Sequence, residues 1–243
     1  MFAFDFKEAF DTICHDKLWQ TLRKQRVPPQ YILLLQSLYS NQTATVKTDK
    51  VSKQFIIERG VKQGDPLSSL LFNALLQDIF SNLIPQWRQR RYGFELAHVR
   101  SSRITNLRFA DDILLFATTL PQLTNMLTDL HNHAKRYGLE MHPDKTYILT
   151  NLSKRRGRQA ATSVDVAGRT VQVLNHNETT KYLGRKLGFD NYHALELHNR
   201  ISTAWRQFNA LRDELTNKRL PLSSRLRLLD STITPTILYA FVS

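Results

Sequence analysis

The sequence predicts an α+β fold followed by a helical region, and three observations support this. Apolar residues alternate with a period of two in short segments such as residues 2–6, a pattern typical of strands. Elsewhere they recur every three to four positions, as in residues 67–79, which is typical of amphipathic helices. From about His193 only the helical pattern continues. We therefore predict mixed helix and sheet over residues 1–189 and a small helical region over residues 190–243.

The first sixty residues predict one strand, two helices and a hairpin. These elements cover residues 2–6, 16–26, 29–39 and 43–48 with 51–57. Pro28-Pro29 separates the two helices, because proline cannot continue a helix from its interior. The two strand-like segments turn around Asp49-Lys50, which indicates a hairpin.

The loop GVKQGDP, residues 60–66, opens the next helix. Asp65 suits the N-cap and Pro66 suits the first helical position. A further helix over residues 121–137 ends at Gly138. Three strand-like segments follow, at residues 146–150, 164–174 and 181–189.

The charge balance indicates a polyanionic partner. The chain has 34 Lys and Arg against 21 Asp and Glu, a net charge of +13, and its pI is near 10.0. Such an excess is typical of proteins that bind nucleic acid or an anionic membrane surface. The single Cys14 excludes an internal disulfide and a Cys-rich zinc site. The apolar runs, such as LLFNALL, are too short to span a bilayer, and early charges argue against a signal peptide. We expect an intracellular protein without a membrane segment.

Residues 108–116 read RFADDILLF, so two adjacent aspartates interrupt a mostly apolar run. A hairpin with Asp111-Asp112 at its tip would hold both carboxylates at the edge of a sheet. Carboxylates this close repel each other unless a cation lies between them, and hard oxygen ligands suit Mg²⁺. Asp-Asp is also a common turn dipeptide, so the pair alone leaves a purely structural role open.

The segment FAFDFKEAFD offers a third carboxylate. Asp5 alternates with Phe4 and Phe6 and so points to the opposite face of the predicted strand. Asp11 follows beyond the strand. By themselves, Asp5 fits an edge-strand charge and Asp11 fits a helix cap as well as they fit a catalytic site.

Five motifs then occur in a fixed order. They are D-F-x-x-A-F-D, G-V-x-Q-G-D-P-L-S, F-A-D-D, G-L-x-x-x-x-x-K-T and K-Y-L-G. This series resembles the reverse transcriptase family, most closely the polymerases of non-LTR (LINE-like) retrotransposons, over residues 2–189. The resemblance implies a right-hand polymerase palm, an antiparallel sheet with packed helices, over residues 1–189. Partial fingers elements would lie within residues 12–60, and residues 190–243 would be a helical thumb. The family's fingers lie upstream of the first motif, so they are expected to be largely missing here.

The resemblance also implies the metal site. In the family, the first aspartate of the opening motif and the pair in the hairpin bind two Mg²⁺ ions, with Mn²⁺ as a substitute. Here these residues are Asp5, Asp111 and Asp112, and the backbone carbonyl of Phe6 would complete one coordination sphere. Asp11 matches a recurring residue without a metal role.

Further residues are implied to contact the incoming nucleotide. Phe10 matches the aromatic position beneath the sugar, where a ring would collide with a 2′-hydroxyl and favour deoxynucleotides. Gln63 and Gly64 match the pair that lines the nucleotide and template groove. Lys145 matches a lysine proposed to protonate the departing pyrophosphate. A core aromatic and a solvated lysine are the alternative interpretations of Phe10 and Lys145.

The last motif is implied to bind the primer. Tyr182, Leu183 and Gly184 match the primer-gripping hairpin, and the basic surplus of the helical region suits duplex phosphates. Three positions depart mildly from the family pattern. These are Asp65, Ser69 and His142.

The resemblance therefore implies an RNA-directed DNA polymerase with an RNA template, a DNA primer and dNTPs as partners, acting in the nucleus. A second hypothesis is a reverse transcriptase-like remnant or maturase-like protein that binds RNA without polymerising. An RNA-templated RNA polymerase is disfavoured by Phe10. The sequence does not indicate the oligomeric state.

Overall fold

The computed structural model describes residues 2–4, 6–49, 51–96, 103–151, 162–190 and 192–239. The chain divides into two compact units. The first comprises Met1–Ile148 with Ala161–Val173, and the second comprises Leu149–Ala160 with Leu174–Ser243.

The helices and strands are as follows. The helices are α1 (His15–Lys24), α2 (Pro29–Tyr39), α3 (Pro66–Gln89), α4 (Leu120–Lys135), α5 (Tyr192–Ala210), α6 (Arg212–Thr216) and α7 (Leu222–Leu238), with a short 3₁₀ helix at Pro143–Lys145. The strands are β1 (Phe2–Phe4), β2 (Phe6–Lys7), β3 (Thr43–Ala44), β4 (Phe55–Ile56), β5 (Phe94–Glu95), β6 (Arg103–Ile104), β7 (Asn106–Phe109), β8 (Asp112–Leu115), β9 (Glu140–Met141), β10 (Tyr147–Leu149), β11 (Ser163–Val166), β12 (Arg169–Leu174), β13 (Thr180–Tyr182) and β14 (Arg185–Leu187).

A six-stranded sheet organises the first unit, with the strand order β11-β12-β10-β1-β8-β7. β1 is antiparallel to both of its neighbours, so that Phe2 lies opposite Leu115 of β8 on one side and Ile148 of β10 on the other. β2 is paired separately, with Phe6 opposite Met141 of β9. The opening motif therefore lies beside the third and fourth motifs, although more than a hundred residues separate them along the chain.

The helices α1, α3 and α4 contribute most of the core of the first unit, and α3 is the central one. Asp65 caps α3 by accepting a hydrogen bond from the Leu67 N–H at 2.9 Å, and Pro66 takes the first position, as predicted. Fully buried side chains of α1, α3, α4 and β8 include Leu18, Phe72, Leu75, Ile79, Leu127 and Ile113.

We expected every apolar run to be too short to cross a membrane, but α3 does not fit this expectation. It has 24 residues, and by its length and composition it could span a membrane. Leu75, Ile79, Phe80, Leu83 and Trp87 are nevertheless fully buried in the core, which is typical of the central helix of a globular unit. The absence of a membrane segment stays a prediction.

A buried polar cluster joins α1, α3 and the residue Tyr137, which follows α4. Asp78 of α3 accepts hydrogen bonds from the Thr21 hydroxyl at 3.1 Å, the Lys24 ammonium at 3.0 Å and the Tyr137 hydroxyl at 2.8 Å. Asp78 is 8% exposed, and a buried charge is tolerated when it is paired and hydrogen-bonded. The cluster therefore connects α1 and α3 with the end of α4.

The second unit combines the β13–β14 hairpin with α5, α6 and α7. Its small core contains Ala204, Leu215 and Ile233. The second unit includes the hairpin together with the helices, whereas the predicted division lies at residue 189 and stays a prediction. The naming of the two parts as palm and thumb stays a prediction.

The predicted α+β class is confirmed at the level of mixed helix and sheet. α2 has the predicted bounds, and α1, α4 and α5 begin one residue before the predicted start. The predicted hairpin near residue 50 is present as β3 and β4 with an isolated bridge between Lys47 and Val51, and Lys50 itself lies outside the described residues.

Candidate active site

The two adjacent aspartates lie at the tip of the β7–β8 hairpin, as predicted. Phe109 and Asp112 form the last cross-strand pair, so Ala110 and Asp111 make a two-residue turn. Ala110 has a φ of +50°, which is the sign that tight hairpin turns require at this position. The Asp111 and Asp112 side chains are half-buried. The buried strand β8 therefore holds both carboxylates at one end of the sheet.

Arg108 fastens this hairpin to α3. Its guanidinium lies 4.5 Å from the centre of the Phe80 ring and donates to the Gln77 side chain at 3.1 Å and to the Leu76 carbonyl at 3.4 Å. Burial lowers the pKa of Arg108 from its ordinary value. A cation over an aromatic face is favourable, so Arg108 restrains the strand that leads into the aspartate pair.

The central strand β1 runs toward the same end of the sheet. Its last residue, Phe4, lies opposite Ile113, which directly follows Asp112. The next residue is Asp5, and it lies outside the described residues. Phe4 and Ile113 are thus opposite each other in the sheet, and they are adjacent in sequence to Asp5 and Asp112.

Lys145 lies at the same end of the sheet on the other side of β1. It ends the 3₁₀ helix two residues before Tyr147, which is opposite Ala3 of β1. The Lys145 side chain is exposed. The sheet topology therefore places the first, third and fourth motifs at the same end of neighbouring strands.

The aspartate pair suits a divalent cation, although the described residues hold only part of the predicted ligand set. Within residues 2–4, 6–49, 51–96, 103–151, 162–190 and 192–239, no group of three or more His, Cys, Asp or Glu side chains is arranged to hold a metal ion. Two adjacent carboxylates supply hard, anionic oxygen ligands, and the predicted third ligand, Asp5, falls outside this description. The donors that are described fit Mg²⁺.

Phe6 and Phe10 both pack against Phe72 of α3. The Phe10 and Phe72 rings stack with centroids 4.9 Å apart and an angle of 23°, whereas Phe6 meets Phe72 edge-on at 6.5 Å. Phe6 is buried, but Phe10 is half-buried and keeps part of its surface accessible. Phe10 is therefore a partly exposed aromatic in a fixed position, and its predicted contact with a sugar stays a prediction.

The loop before α3 is attached to the segment that follows β2. The Val61 N–H donates to the Phe10 carbonyl at 2.7 Å, and the Gly60 N–H donates to the Ile13 carbonyl at 2.9 Å. His15 Nε2 donates to the Gly60 carbonyl at 2.7 Å. A Cβ at Gly60 would lie 2.7 Å from the Asp11 backbone, so only glycine permits this approach.

Gln63 and Gly64 are exposed at the end of this loop. A groove of about 540 Å³ lies beside them, and its lining includes Asp11, Arg59 and Lys62. The structure therefore places Gln63 at an open groove with both charged and apolar lining residues. Backbone hydrogen bonds of Gly60 and Val61 connect this loop to the segment that contains Phe10.

Tyr182, Leu183 and Gly184 form the tip of the β13–β14 hairpin in the second unit. Tyr182 lies opposite Arg185, and the two turn residues have φ values of +48° for Leu183 and +74° for Gly184. Two consecutive positive φ values are the mark of a type I′ hairpin turn. Leucine rarely adopts this conformation, so neighbouring contacts must stabilise the turn.

One family model matches residues 1–187, and it describes the reverse transcriptase family of RNA-dependent DNA polymerases. The chain belongs to the reverse transcriptase family. The resemblance inferred from the five motifs is thereby confirmed.

The relatives of this reverse transcriptase chain include proteins of non-LTR elements. It is 30% identical over 187 residues to the Pol polyprotein of the R2 element of Nasonia vitripennis and to that of R2DM of Drosophila melanogaster. Each match covers 74% of this chain and 17% of the relative. A telomerase structure from Candida tropicalis aligns at 15% identity with a TM-score of 0.48, covering 97% of this chain and 37% of that one. The chain thus spans less than a fifth of the length of the two R2 relatives.

Motif reasoning missed the residues that support the primer-hairpin candidate in this reverse transcriptase chain. Glu196 Oε2 of α5 accepts from the Lys186 N–H at 2.7 Å, and Arg200 pairs with Glu196 and donates to the Gly184 carbonyl. Burial would raise the pKa of Glu196, but hydrogen bonds from Lys186 and Arg200 and nearby positive charge lower it below its ordinary value. The i, i+4 spacing of Glu196 and Arg200 is the only sequence signal for this pair.

Proposed function

We propose that this chain is the RNA-directed DNA polymerase domain of a non-LTR retrotransposon protein, which adds deoxynucleotides from dNTPs to a DNA primer on an RNA template. The observation that carries the proposal is the Asp111-Asp112 hairpin tip beside the strand that leads into Asp5, in a chain of the reverse transcriptase family. The first unit would be the polymerase palm with partial fingers elements, and the helices after residue 190 would belong to a thumb.

Asp5, Asp111 and Asp112 would hold two Mg²⁺ ions, for which Mn²⁺ could substitute. When bound, such ions supply positive charge to the phosphates and lower the pKa of an attacking hydroxyl. The protein's own contribution would be the placement of Asp111 and Asp112 at the start of the buried strand β8. A fixed site of this kind supplies catalysis mainly through positioning and charge stabilisation.

The remaining site residues would act on the nucleotide. Lys145, exposed at the same edge of the sheet, would donate a proton to the departing pyrophosphate. Phe10, held by Phe72 with part of its surface accessible, would contact the sugar and exclude a 2′-hydroxyl. Gln63 and Gly64 would line the groove for the nucleotide and template. Tyr182, Leu183 and Gly184 would contact the primer, and nuclear localisation stays a prediction.

Primer extension tests the proposal directly. The purified chain is incubated with a labelled DNA primer annealed to an RNA template, all four dNTPs and Mg²⁺. We expect extension products, and we expect Asp111→Asn and Asp112→Asn each to reduce the rate by at least about a hundredfold, as is usual when a charge-stabilising group is removed. Asp213→Asn is the matched control, because Asp213 is an exposed carboxylate in α6 of the second unit.

Two results would contradict the polymerase function. The first is an unmodified chain that binds RNA but does not extend the primer, which would favour the catalytically inactive remnant or maturase-like protein. The second is extension that survives both substitutions at the hairpin tip, which would remove the catalytic role from Asp111 and Asp112.

A further inference from the structure

A basic pocket lies where α1, α3 and the end of α4 meet in the first unit. It has a volume of about 260 Å³, which is enough for a phosphate group and a few water molecules. None of the residues that line it belongs to the five sequence motifs, so the candidate active site does not account for it. Its buried lining includes Thr21, Asp78 and Tyr137, and its more exposed lining includes Lys17, Lys24 and Arg136.

Lys24 connects the buried and the exposed parts of this basic pocket. Its Nζ donates to Asp78 Oδ2 at 3.0 Å and lies 3.4 Å from Asp78 Oδ1. The Lys24 side chain is nevertheless 59% exposed, whereas that of Asp78 is 9% exposed. Because an ammonium group has three N–H donors, at least one donor of Lys24 remains for a ligand while Asp78 holds the amine in place.

Lys17 and Arg136 add positive charge that no neighbouring carboxylate balances. In the part of the chain that the structure describes, neither residue forms an ion pair, and Lys17 Nζ donates to the Gln20 side-chain oxygen at 3.2 Å. Lys17 also lies in the first turn of α1, where the helix dipole disfavours a cation. The stability of the helix therefore does not explain Lys17, and an anion in the pocket would relieve the repulsion between the two cations.

The chemistry of these donors suits a phosphate group. A guanidinium can donate two parallel hydrogen bonds to a phosphate, and a lysine ammonium adds a mobile point charge. The net charge of +13 makes nucleic acid the polyanion that the whole chain is most suited to attract.

We propose that the basic pocket binds one backbone phosphate of a nucleic-acid strand through Lys17, Lys24 and Arg136. The buried Asp78 cluster holds Lys24 in place and does not itself contact the ligand. This contact is separate from the motif residues of the candidate active site, and it does not require that the chain polymerises.

Affinity measurements test the contribution of the two unbalanced charges. The dissociation constant of the full chain for a fluorescent single-stranded RNA is measured by anisotropy at several salt concentrations. We expect Lys17→Gln and Arg136→Gln each to raise it about two- to fivefold and to reduce the salt slope by about 0.7. Lys24 is left unchanged in this experiment, because its replacement would leave the buried Asp78 without a cation.

Arg23→Gln and Lys135→Gln are the matched controls. Each removes an exposed positive charge that is adjacent in sequence to a pocket residue but does not line the pocket. Because exposed charges away from a contact are screened by salt, these two variants should keep nearly the affinity of the unmodified chain. Equal effects of all four substitutions would overturn the proposal.

Chemical protection locates the contact. Lysine amines of the full chain are acetylated with and without saturating single-stranded RNA, and the modified positions are quantified by mass spectrometry. We expect RNA to cause a loss of acetylation at Lys17 and Lys24 and no change at the exposed Lys135. Inorganic phosphate at the same total phosphate concentration should protect neither lysine, because a single ion lacks the other contacts of a strand.

The outcomes separate this inference from the polymerase function. Protection by inorganic phosphate as strong as that by RNA would identify a free ion as the ligand and overturn the strand contact. A lower melting temperature of Lys17→Gln or Arg136→Gln with an unchanged affinity for RNA would show a structural role alone and would also overturn it. Protection of Lys17 and Lys24 in a chain that does not extend primers would support the pocket and contradict the polymerase function. Primer extension by a chain in which RNA protects neither lysine would overturn the pocket alone.

Discussion

The Tyr137 hydroxyl donates a 2.8 Å hydrogen bond to Asp78 Oδ2 in the interior of the first unit. Tyr137 follows α4 and Asp78 lies in the middle of α3. The Cys14 N–H also donates to the Tyr137 carbonyl at 3.0 Å. Tyr137 therefore connects the two helices with the segment that follows the opening motif.

Tyr137→Phe is expected to destabilise the protein by about 1 kcal/mol, the usual net value of one buried hydrogen bond. Asp78→Asn is expected to cost more, about 2–3 kcal/mol, since the amide cannot replace a charged acceptor for Lys24. Urea unfolding measures both. Tyr92→Phe is the control, because the Tyr92 hydroxyl accepts only an exposed 3.2 Å hydrogen bond from Asn125. An equal loss of stability in Tyr92→Phe would contradict the role assigned to Tyr137.

The pKa of Asp78 predicts how stability depends on pH. Burial raises this pKa, but hydrogen bonds from Lys24, Tyr137 and Thr21 and the charge of Lys24 outweigh burial, so the folded value lies below the ordinary 3.8. A folded pKa below the unfolded one gives stability that is present above the unfolded pKa and lost as the pH falls through the folded pKa.

We therefore expect the difference in unfolding free energy between the unmodified chain and Asp78→Asn to be constant above about pH 5 and to shrink below about pH 4. Urea unfolding across this range measures it. A difference that grows on acidification would show that Asp78 is not stabilised as a carboxylate.

Gly60 and Gly64 form a matched pair for testing the loop before α3. Their φ values are nearly equal, +88° and +91°, but a Cβ would meet the Asp11 backbone at 2.7 Å at Gly60 and nothing within 4 Å at Gly64. Both alanine variants carry the strain of a positive φ, about 1–2 kcal/mol. Only Gly60→Ala adds a backbone clash, so we expect it to lower the melting temperature clearly more than Gly64→Ala. Equal losses would mean that the loop can move away from Asp11.

Phe10 is expected to control the choice of sugar. Phe10→Ala should raise the ratio of ribonucleotide to deoxynucleotide incorporation by at least about tenfold, because the ring no longer meets the 2′-hydroxyl. Single-nucleotide incorporation with dNTP or rNTP measures the ratio. Phe10→Tyr keeps the ring and should keep the discrimination. If Phe10→Ala lowers stability and leaves the ratio unchanged, Phe10 acts only as a packing partner of Phe72.

Local signals allowed much of the fold to be predicted. The start of α3 followed from Asp65-Pro66, the start of α2 from Pro28-Pro29, and the aspartate hairpin from a short polar dipeptide between apolar strands. Each of these features depends on neighbours within a few residues. The family motifs added the expectation that distant aspartates converge. The described part of β1 runs beside β8, and the convergence itself stays a prediction.

Long-range polar contacts could not be predicted in this way. Asp78 and Tyr137 are 59 residues apart, and nothing in either local pattern distinguishes Asp78 from a solvated helix residue. The sequence pattern indicates only that Arg108 is a charged residue on a strand. Its contact with the Phe80 ring of α3 is seen only in the structure. The hydrogen bond from the Tyr239 hydroxyl to the Leu183 carbonyl also depends on how α7 packs against α5. Hydrophobic periodicity indicates which face of a helix is buried, but not which helix packs against it.

The pairing of β1 has a consequence for how the chain is made. Phe2 lies between Leu115 and Ile148, so β1 leaves the ribosome long before either neighbour is synthesised. Because contacts this distant in sequence form slowly, an apolar segment must wait unpaired during translation, where it is exposed to aggregation. Synthesis past residue 148 is therefore the earliest point at which β1 can pair with both of its neighbours, and we expect chaperone binding to this nascent segment to decrease only after that point.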